Sequence, residues 1–112
     1  MKRNYVPDRG DLVWLNFSPQ RGHEQRGRRP AYVLSPKRYN TRVGLVLCCP
    51  VTKQSKGYPF EVTLPAGLPI EGVILSDQLK SLDWRQLEAE MITALTPDVF
   101  EEVTGKFRVL ID

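Results

Sequence analysis

The chain has 112 residues, 41% of them apolar and 26% charged, a formal net charge of +3, two cysteines and one histidine. This is the composition of a single soluble domain, 1–112, that buries its own core; it excludes a disordered chain and a scaffold stapled by several disulfides. No segment approaches the ~20 apolar residues that span a bilayer, and Lys2-Arg3 is followed by no apolar h-region, so the expected location is the cytoplasm.

In chain order, Gly10 marks a turn, and Asp11 to Phe17 alternates as a first strand, with Val13, Leu15 and Phe17 on one face. Ser18 to Arg29 reads as a polar loop of a length that is usually functional or mobile. Ala31 to Ser35 is a second strand. Ser35 then serves as N-cap and Pro36 as first residue of a helical turn reaching Asn40. Gly44 to Cys49 is an apolar strand buried on both faces. After a loop over Thr52 to Pro59, strands are expected at Phe60 to Leu64, Gly72 to Ser76 and Glu90 to Ala94. Thr96-Pro97-Asp98 opens a helix whose Val99, Val103, Phe107 and Leu110 share a face, with Thr96 as N-cap. Short strands at close spacing with one terminal helix predict a mainly β domain, a small barrel with a C-terminal helix packed on it.

Cys48 and Cys49 are adjacent in the buried strand, so their side chains point to opposite faces and a disulfide between them is geometrically poor. They are expected to be reduced and to act as small hydrophobes. With His23 as the sole histidine, no zinc set can be assembled. Trp14 and Trp84 are expected in the core or at a subunit interface.

The net charge conceals a division. Residues 1–60 hold twelve Lys and Arg against three Asp and Glu, whereas residues 61–112 hold four against ten. A basic half points to a nucleic acid, unless the two halves interleave on folding and their charges mix. Two segments carry most of the chemistry. Arg26-Gly27-Arg28-Arg29-Pro30 presents three guanidinium groups, whose planar forks suit phosphate oxygens, just ahead of a strand. Thr52-Lys53-Gln54-Ser55-Lys56-Gly57-Tyr58 mixes hydroxyls, amines, an amide and an aromatic ring.

Val6-Pro7-Asp8 with Gly10-Asp11-Leu12, Glu24-Gln25 with Gly27, Arg29-Pro30-Ala31, Val33-Leu34-Ser35-Pro36, Gln54 to Val62, Asp77-Gln78 with Lys80-Ser81, and Trp84-Arg85 together resemble the MazF/PemK family over nearly the whole chain. The resemblance implies an SH3-like barrel of the CcdB/PemK type, a homodimer, and the toxin of a type II toxin–antitoxin pair. It further implies an endoribonuclease that cuts single-stranded RNA without metal or other cofactor, leaving a 2′,3′-cyclic phosphate and a 5′-hydroxyl. Arg29 matches the family's catalytic arginine and Thr52 its phosphate-binding hydroxyl. Glu24 is implied as a base or as a group orienting Arg29; His23 is a weaker candidate for proton transfer. PemK-like members instead flank the later Asp-Gln step with Arg and Asp. Here Asp77 is present but Leu75 stands two residues before it, which favours the Arg29/Thr52 arrangement and a structural role for Asp77.

RNA is read by stacking bases on aromatic rings while their edges meet polar side chains. Phe17, Tyr58 and Gln78 suit those tasks. Lys53, Lys56 and Lys80 suit phosphates, and Arg28, Gln54 and Ser55 complete the set. The implied partner besides RNA is a cognate antitoxin of the MazE type, with an acidic, flexible tail lying over the basic surface. A CcdB-like poison of gyrase and a non-catalytic RNA-binding barrel are the rival readings.

Overall fold

The computed structural model describes residues 4–18 and 27–112. Its elements are β1 (Asp11–Asn16), β2 (Arg28–Val33), α1 (Lys37–Val43), β3 (Val46–Thr52), β4 (Glu61–Thr63), β5 (Val73–Leu75), β6 (Lys80–Leu82), β7 (Glu90–Ala94) and α2 (Pro97–Arg108). The strands pair antiparallel in the order β4-β5-β3-β2-β1-β7, and β6 joins β3. A mainly β domain with a C-terminal helix is therefore what the sequence builds. No helix among the described residues is long and apolar enough to cross a membrane.

The alternation of β1 to β3 divides the interior into two apolar clusters, one on each side of the sheet. Leu12, Tyr32, Leu34, Cys49 and Val51 face one side, where Val62, Leu64 and Ile74 and then Val99 and Val103 of α2 cover them. Val13, Leu15, Ala31, Val33, Val46 and Cys48 face the other, closed by Trp84 and Ala89. Each fully buried aliphatic side chain stabilises the fold by roughly 1.5–3 kcal/mol relative to exposure, and Leu12, Leu15, Val13, Val33 and Val46 are all in that condition. Cys48 and Cys49 are free thiols, both buried, one in each cluster, as expected for adjacent residues on a strand.

Several boundaries differ from the sequence reading, α1 among them, which runs on to Val43, and one strand is new. Strand β2 begins at Arg28, so the two arginines before Pro30 belong to a strand and not to the preceding loop; they pair with Asn16 and Leu15 of β1. Strand β3 runs on through Pro50 to Thr52. Pro50, which has no N–H to offer, sits where one edge of β3 changes partner, from β6 at Val46 to Cys48 to β5 at Val51 and Thr52. Strand β6 was not expected: three residues cannot display a period. Helix α2 stops at Arg108, which leaves Leu110 exposed beyond it.

Neither helix uses the side-chain cap that the sequence suggests. Ser35 donates instead to Asn40 Oδ1 at 2.6 Å and accepts the Leu47 N–H at 2.8 Å, with Pro36 in the capping position. The Thr96 hydroxyl turns to the Asp98 carboxylate, so it caps no backbone N–H. Asn40 is fully buried, and its amide donates to the Pro7 and Ser35 carbonyls at 2.7 and 3.0 Å. Its own carbonyl accepts the Trp84 indole N–H at 2.8 Å. This one residue ties the N-terminal segment, α1 and the turn after β6 together, and it places Trp84 in the core.

Candidate functional site

The site follows from strand alternation. On β2, Arg29 lies on the same face as Ala31 and Val33, which are anchored in the second apolar cluster, so its guanidinium emerges where that cluster meets solvent. On β3, Cys48, Pro50 and Thr52 share that face. The two strands pair as Val33↔Cys48, Tyr32↔Cys49 and Ala31↔Pro50. Arg29 and Thr52 each lie two residues beyond the last of these pairs, at the same end of the ladder.

Two hollows open on this face. The first, about 430 Å³, has Leu15, Ala31, Cys48 and Pro50 as an apolar floor and Arg29, Phe17 and Lys80 at its edge. The second, about 620 Å³, is bounded by Thr52, Gln54, Lys56, Tyr58 and Glu61. Leu75 and Gln78 line both, so the hollows adjoin through a shared wall with Arg29 on one side and Thr52 on the other. Phe17 and Tyr58, each 45% exposed, offer aromatic faces to the two compartments.

The loop between β3 and β4 is held by its own polar groups. The Thr52 hydroxyl accepts the Gln54 N–H at 3.2 Å. Glu61 accepts from the Ser55 hydroxyl and from the Lys56 N–H, both at 2.8 Å. Those donors, the Lys56 backbone N–H first, hold its carboxyl below the usual carboxylate range. Tyr58 donates its hydroxyl to Asp77 Oδ2 at 2.5 Å, which pushes the phenol's pKa up. Asp77 Oδ1 is buried without a hydrogen-bond partner among the described residues. The Tyr58 ring lies 5.8 Å from that of Phe60, tilted by 37°.

Cys48 is no nucleophile. Burial raises its pKa to about 12 against the pull of the nearby Lys80 ammonium, and a neutral thiol at the bottom of the hollow is apolar surface. What the cleft offers is therefore a fixed guanidinium, a hydroxyl whose proton is free to donate because its oxygen already accepts from Gln54, two lysines and two exposed rings. Such a set suits phosphate oxygens strung between aromatic bases.

Arg29, Thr52, Phe17, Gln54, Lys56, Tyr58, Gln78 and Lys80 are thus brought together, as the sequence suggested. Arg28 is not. Alternation turns it to the opposite face of β2, where its guanidinium meets Glu90 at 2.8 Å and covers the Trp14 ring at 4.8 Å. It lines neither hollow and is engaged in an ion pair. Lys53 is exposed beside Thr52 but lines neither hollow, and the Ser55 side chain is engaged by Glu61. Glu24 and His23 lie outside the described residues. The sequence reading missed Glu61, whose alternating strand gave no sign that its carboxylate folds back over the loop, and the apolar floor at Leu15 and Cys48.

Fold and cleft together define a small β protein with an open, basic face that presents one arginine and one threonine on either side of a shared wall. Residues 8–111 match the family model described as PemK-like, MazF-like toxin of type II toxin–antitoxin system. The chain belongs to that family. It is 50% identical over 111 residues to the endoribonuclease toxin MazF of Escherichia coli strain K12, covering 99% of both chains. Among solved structures it resembles MazF (Form-I) from Deinococcus radiodurans, with 59% identity, a TM-score of 0.85, and 96% and 98% of the two chains covered. It is equally similar in shape to a chain of the MazE-MazF complex (Form-II) of that organism, with 54% identity, a TM-score of 0.87, and 96% and 97% covered.

Proposed function

We propose that this chain, as one domain over 1–112, is a cytoplasmic endoribonuclease and the toxin of a toxin–antitoxin pair, cutting single-stranded RNA internally. The observation that carries the reading is the cleft in which Arg29 and Thr52 stand on either side of the Leu75 and Gln78 wall, within a fold 50% identical to an endoribonuclease toxin.

Internal cleavage uses the 2′-hydroxyl that RNA alone carries. Its oxygen, once deprotonated, forms a bond to phosphorus, the bond to the 5′-oxygen breaks, and that oxygen takes up a proton. The products are a 2′,3′-cyclic phosphate and a 5′-hydroxyl, with no metal or other cofactor required by the bookkeeping of bonds. The difficult point is the extra negative charge on the phosphate oxygens in the transition state. Arg29 answers it with a fixed fork of donors that stays protonated, so its part is charge stabilisation more than proton transfer. Thr52 donates its hydroxyl to a phosphoryl oxygen. Glu24 is the proposed base, or the group that orients Arg29.

Along the strand, Phe17 and Tyr58 stack bases, Gln78 and Gln54 meet base edges, and Lys56, Lys80 and Lys53 contact phosphates, with Ser55 shaping the loop. The functional unit is a homodimer, and its second partner is an antitoxin with an acidic, flexible segment that competes with RNA for the cleft; the MazE-MazF complexes of a similar chain support that assignment. Incubating the purified protein with a long single-stranded RNA in EDTA and mapping the ends tests the reading. Cuts bearing 5′-hydroxyl ends are expected. Binding without cuts points to an RNA-binding module, and inhibition of gyrase without either points to a CcdB-like poison.

A further inference from the structure

Two carboxylates lie where a polyanion is meant to bind, and repulsion alone makes them a liability there. Glu61 lines the hollow that holds Thr52 and Lys56, and Asp77 directly precedes Gln78, the wall of both hollows. Each has a task that the charge alone does not explain. Between Thr52 and Glu61 the chain forms neither helix nor strand, yet it carries Gln54, Lys56 and Tyr58 into the cleft. Glu61 grips this loop with both oxygens, one on the Ser55 hydroxyl and one on the Lys56 N–H, each at 2.8 Å. Asp77 anchors the loop's aromatic ring through the Tyr58 hydroxyl at 2.5 Å, while its other oxygen stays buried and unpartnered among the described residues. A buried polar atom left unsatisfied calls for a reason besides packing. From behind, the Lys106 ammonium of α2 donates to the Pro59 carbonyl at 2.8 Å and fixes the loop's far end.

We propose that Glu61 and Asp77 are positioning residues that hold the β3–β4 loop in its RNA-binding conformation before RNA arrives, so that their tethering outweighs their repulsion of phosphate. The inference rests on the ribonuclease reading for what the loop binds. An ordered loop spares the ligand the entropy of arranging it, which appears as affinity, while Arg29 and Thr52 keep their places on the strands β2 and β3. The hydrogen bonds that Glu61 accepts keep it ionised at neutral pH, so the grip is engaged under working conditions.

The proposal makes a prediction of sign. Glu61→Ala removes one negative charge and both acceptors, whereas in Glu61→Gln the amide oxygen can still accept the Lys56 N–H while its NH2 donates to the Ser55 hydroxyl. If Glu61 were only a charge beside the cleft, Glu61→Ala would tighten RNA binding. As a tether, its loss weakens binding of a short 2′-O-methyl oligoribonucleotide, which cannot be cut, and raises KM for cleavable RNA, by roughly tenfold, with kcat at saturating RNA close to wild type. Exchange of the Lys56 amide proton speeds up while that of β1 and α2 amides does not. Asp77→Ala weakens binding likewise, and Asp77→Asn, whose amide oxygen still accepts from Tyr58, restores it. Unchanged or tighter binding by Glu61→Ala, or an unchanged Lys56 exchange rate in it, overturns the proposal. Should the wild-type protein bind RNA but not cut it, the ribonuclease reading fails while the binding and exchange measurements still decide the tether.

Discussion

Arg29 stands on a rigid base: Ala31 and Val33, two and four positions along the same face of β2, are locked in the core, and the arginine lines the cleft from the end of that row. Its removal should therefore be a loss of chemistry and not of fold. Arg29→Ala is expected to lower kcat by about 10²–10³, the range for deleting one donor to a developing oxyanion, with thermal stability changed by no more than about 0.5 kcal/mol, as for an exposed side chain. Arg29→Lys keeps the charge but not the fork and should recover only part of the rate. Single-turnover cleavage beside a thermal melt checks both; a near wild-type rate for Arg29→Ala would remove this residue from the mechanism. Arg29 and Thr52 were legible because an arginine before a proline and a threonine ending an apolar run matched a family pattern. The place of Arg28 was not legible, for a physical reason. With β2 taken to start at Ala31, nothing in the sequence said that residues 28 and 29 alternate, and that the first would be claimed by Glu90, sixty-two residues away.

At the scale of elements, the long strands β1 and β3, β7 and helix α2 could be read because their apolar periods or turn residues extend over enough positions to be seen. The short β4 and β5 were expected too, from the alternation at Phe60 to Leu64 and the apolar run at Gly72 to Ser76; strand β6 alone is fixed by what it pairs with, which no local pattern records. One contact beside β5 makes a prediction. Gly72, just before β5, has φ +144°, and a Cβ there would lie 2.5 Å from the carbonyl oxygen of Thr52. Gly72→Ala must push the backbone that carries the Thr52 hydroxyl, at a cost of about 2 kcal/mol for strain and overpacking together. It should lower both the denaturation midpoint and cleavage. Val103→Ala in α2 is the contrasting case. Val103 is fully buried against the cluster opposite the cleft, so its truncation costs about 2 kcal/mol and leaves kcat unaltered at temperatures where the protein stays folded. Urea titrations with parallel rate measurements separate the two.

For the molecule as a whole, the basic first half and acidic second half do interleave in part, since Glu90 of β7 neutralises Arg28 of β2. The cleft nevertheless keeps Arg29, Lys56 and Lys80. Affinity for single-stranded RNA should fall with salt, and Lys56→Gln should flatten the log–log slope by about 0.7, one phosphate's share. Stability should also have an alkaline edge. Burial raises Cys48 and Cys49 from an ordinary 9.0 to about 12, and Tyr32 from 10.0 to about 12. Groups raised in the folded state contribute stability that is whole below their unfolded pKa and lost as pH climbs toward the folded one. Denaturation midpoints should be level up to about pH 9 and decline between pH 9 and 12, and Cys48→Ala,Cys49→Ala should blunt that decline. A level profile to pH 11 in the native sequence would contradict the assignment. The same two thiols carry one more consequence. Standing back to back, each looks into a different half of the interior, so they are a native pair of reporters one residue apart. Pulse labelling with a thiol reagent followed by mass spectrometry will distinguish a protein whose halves open in concert, adding two labels together, from one that loosens on one side first.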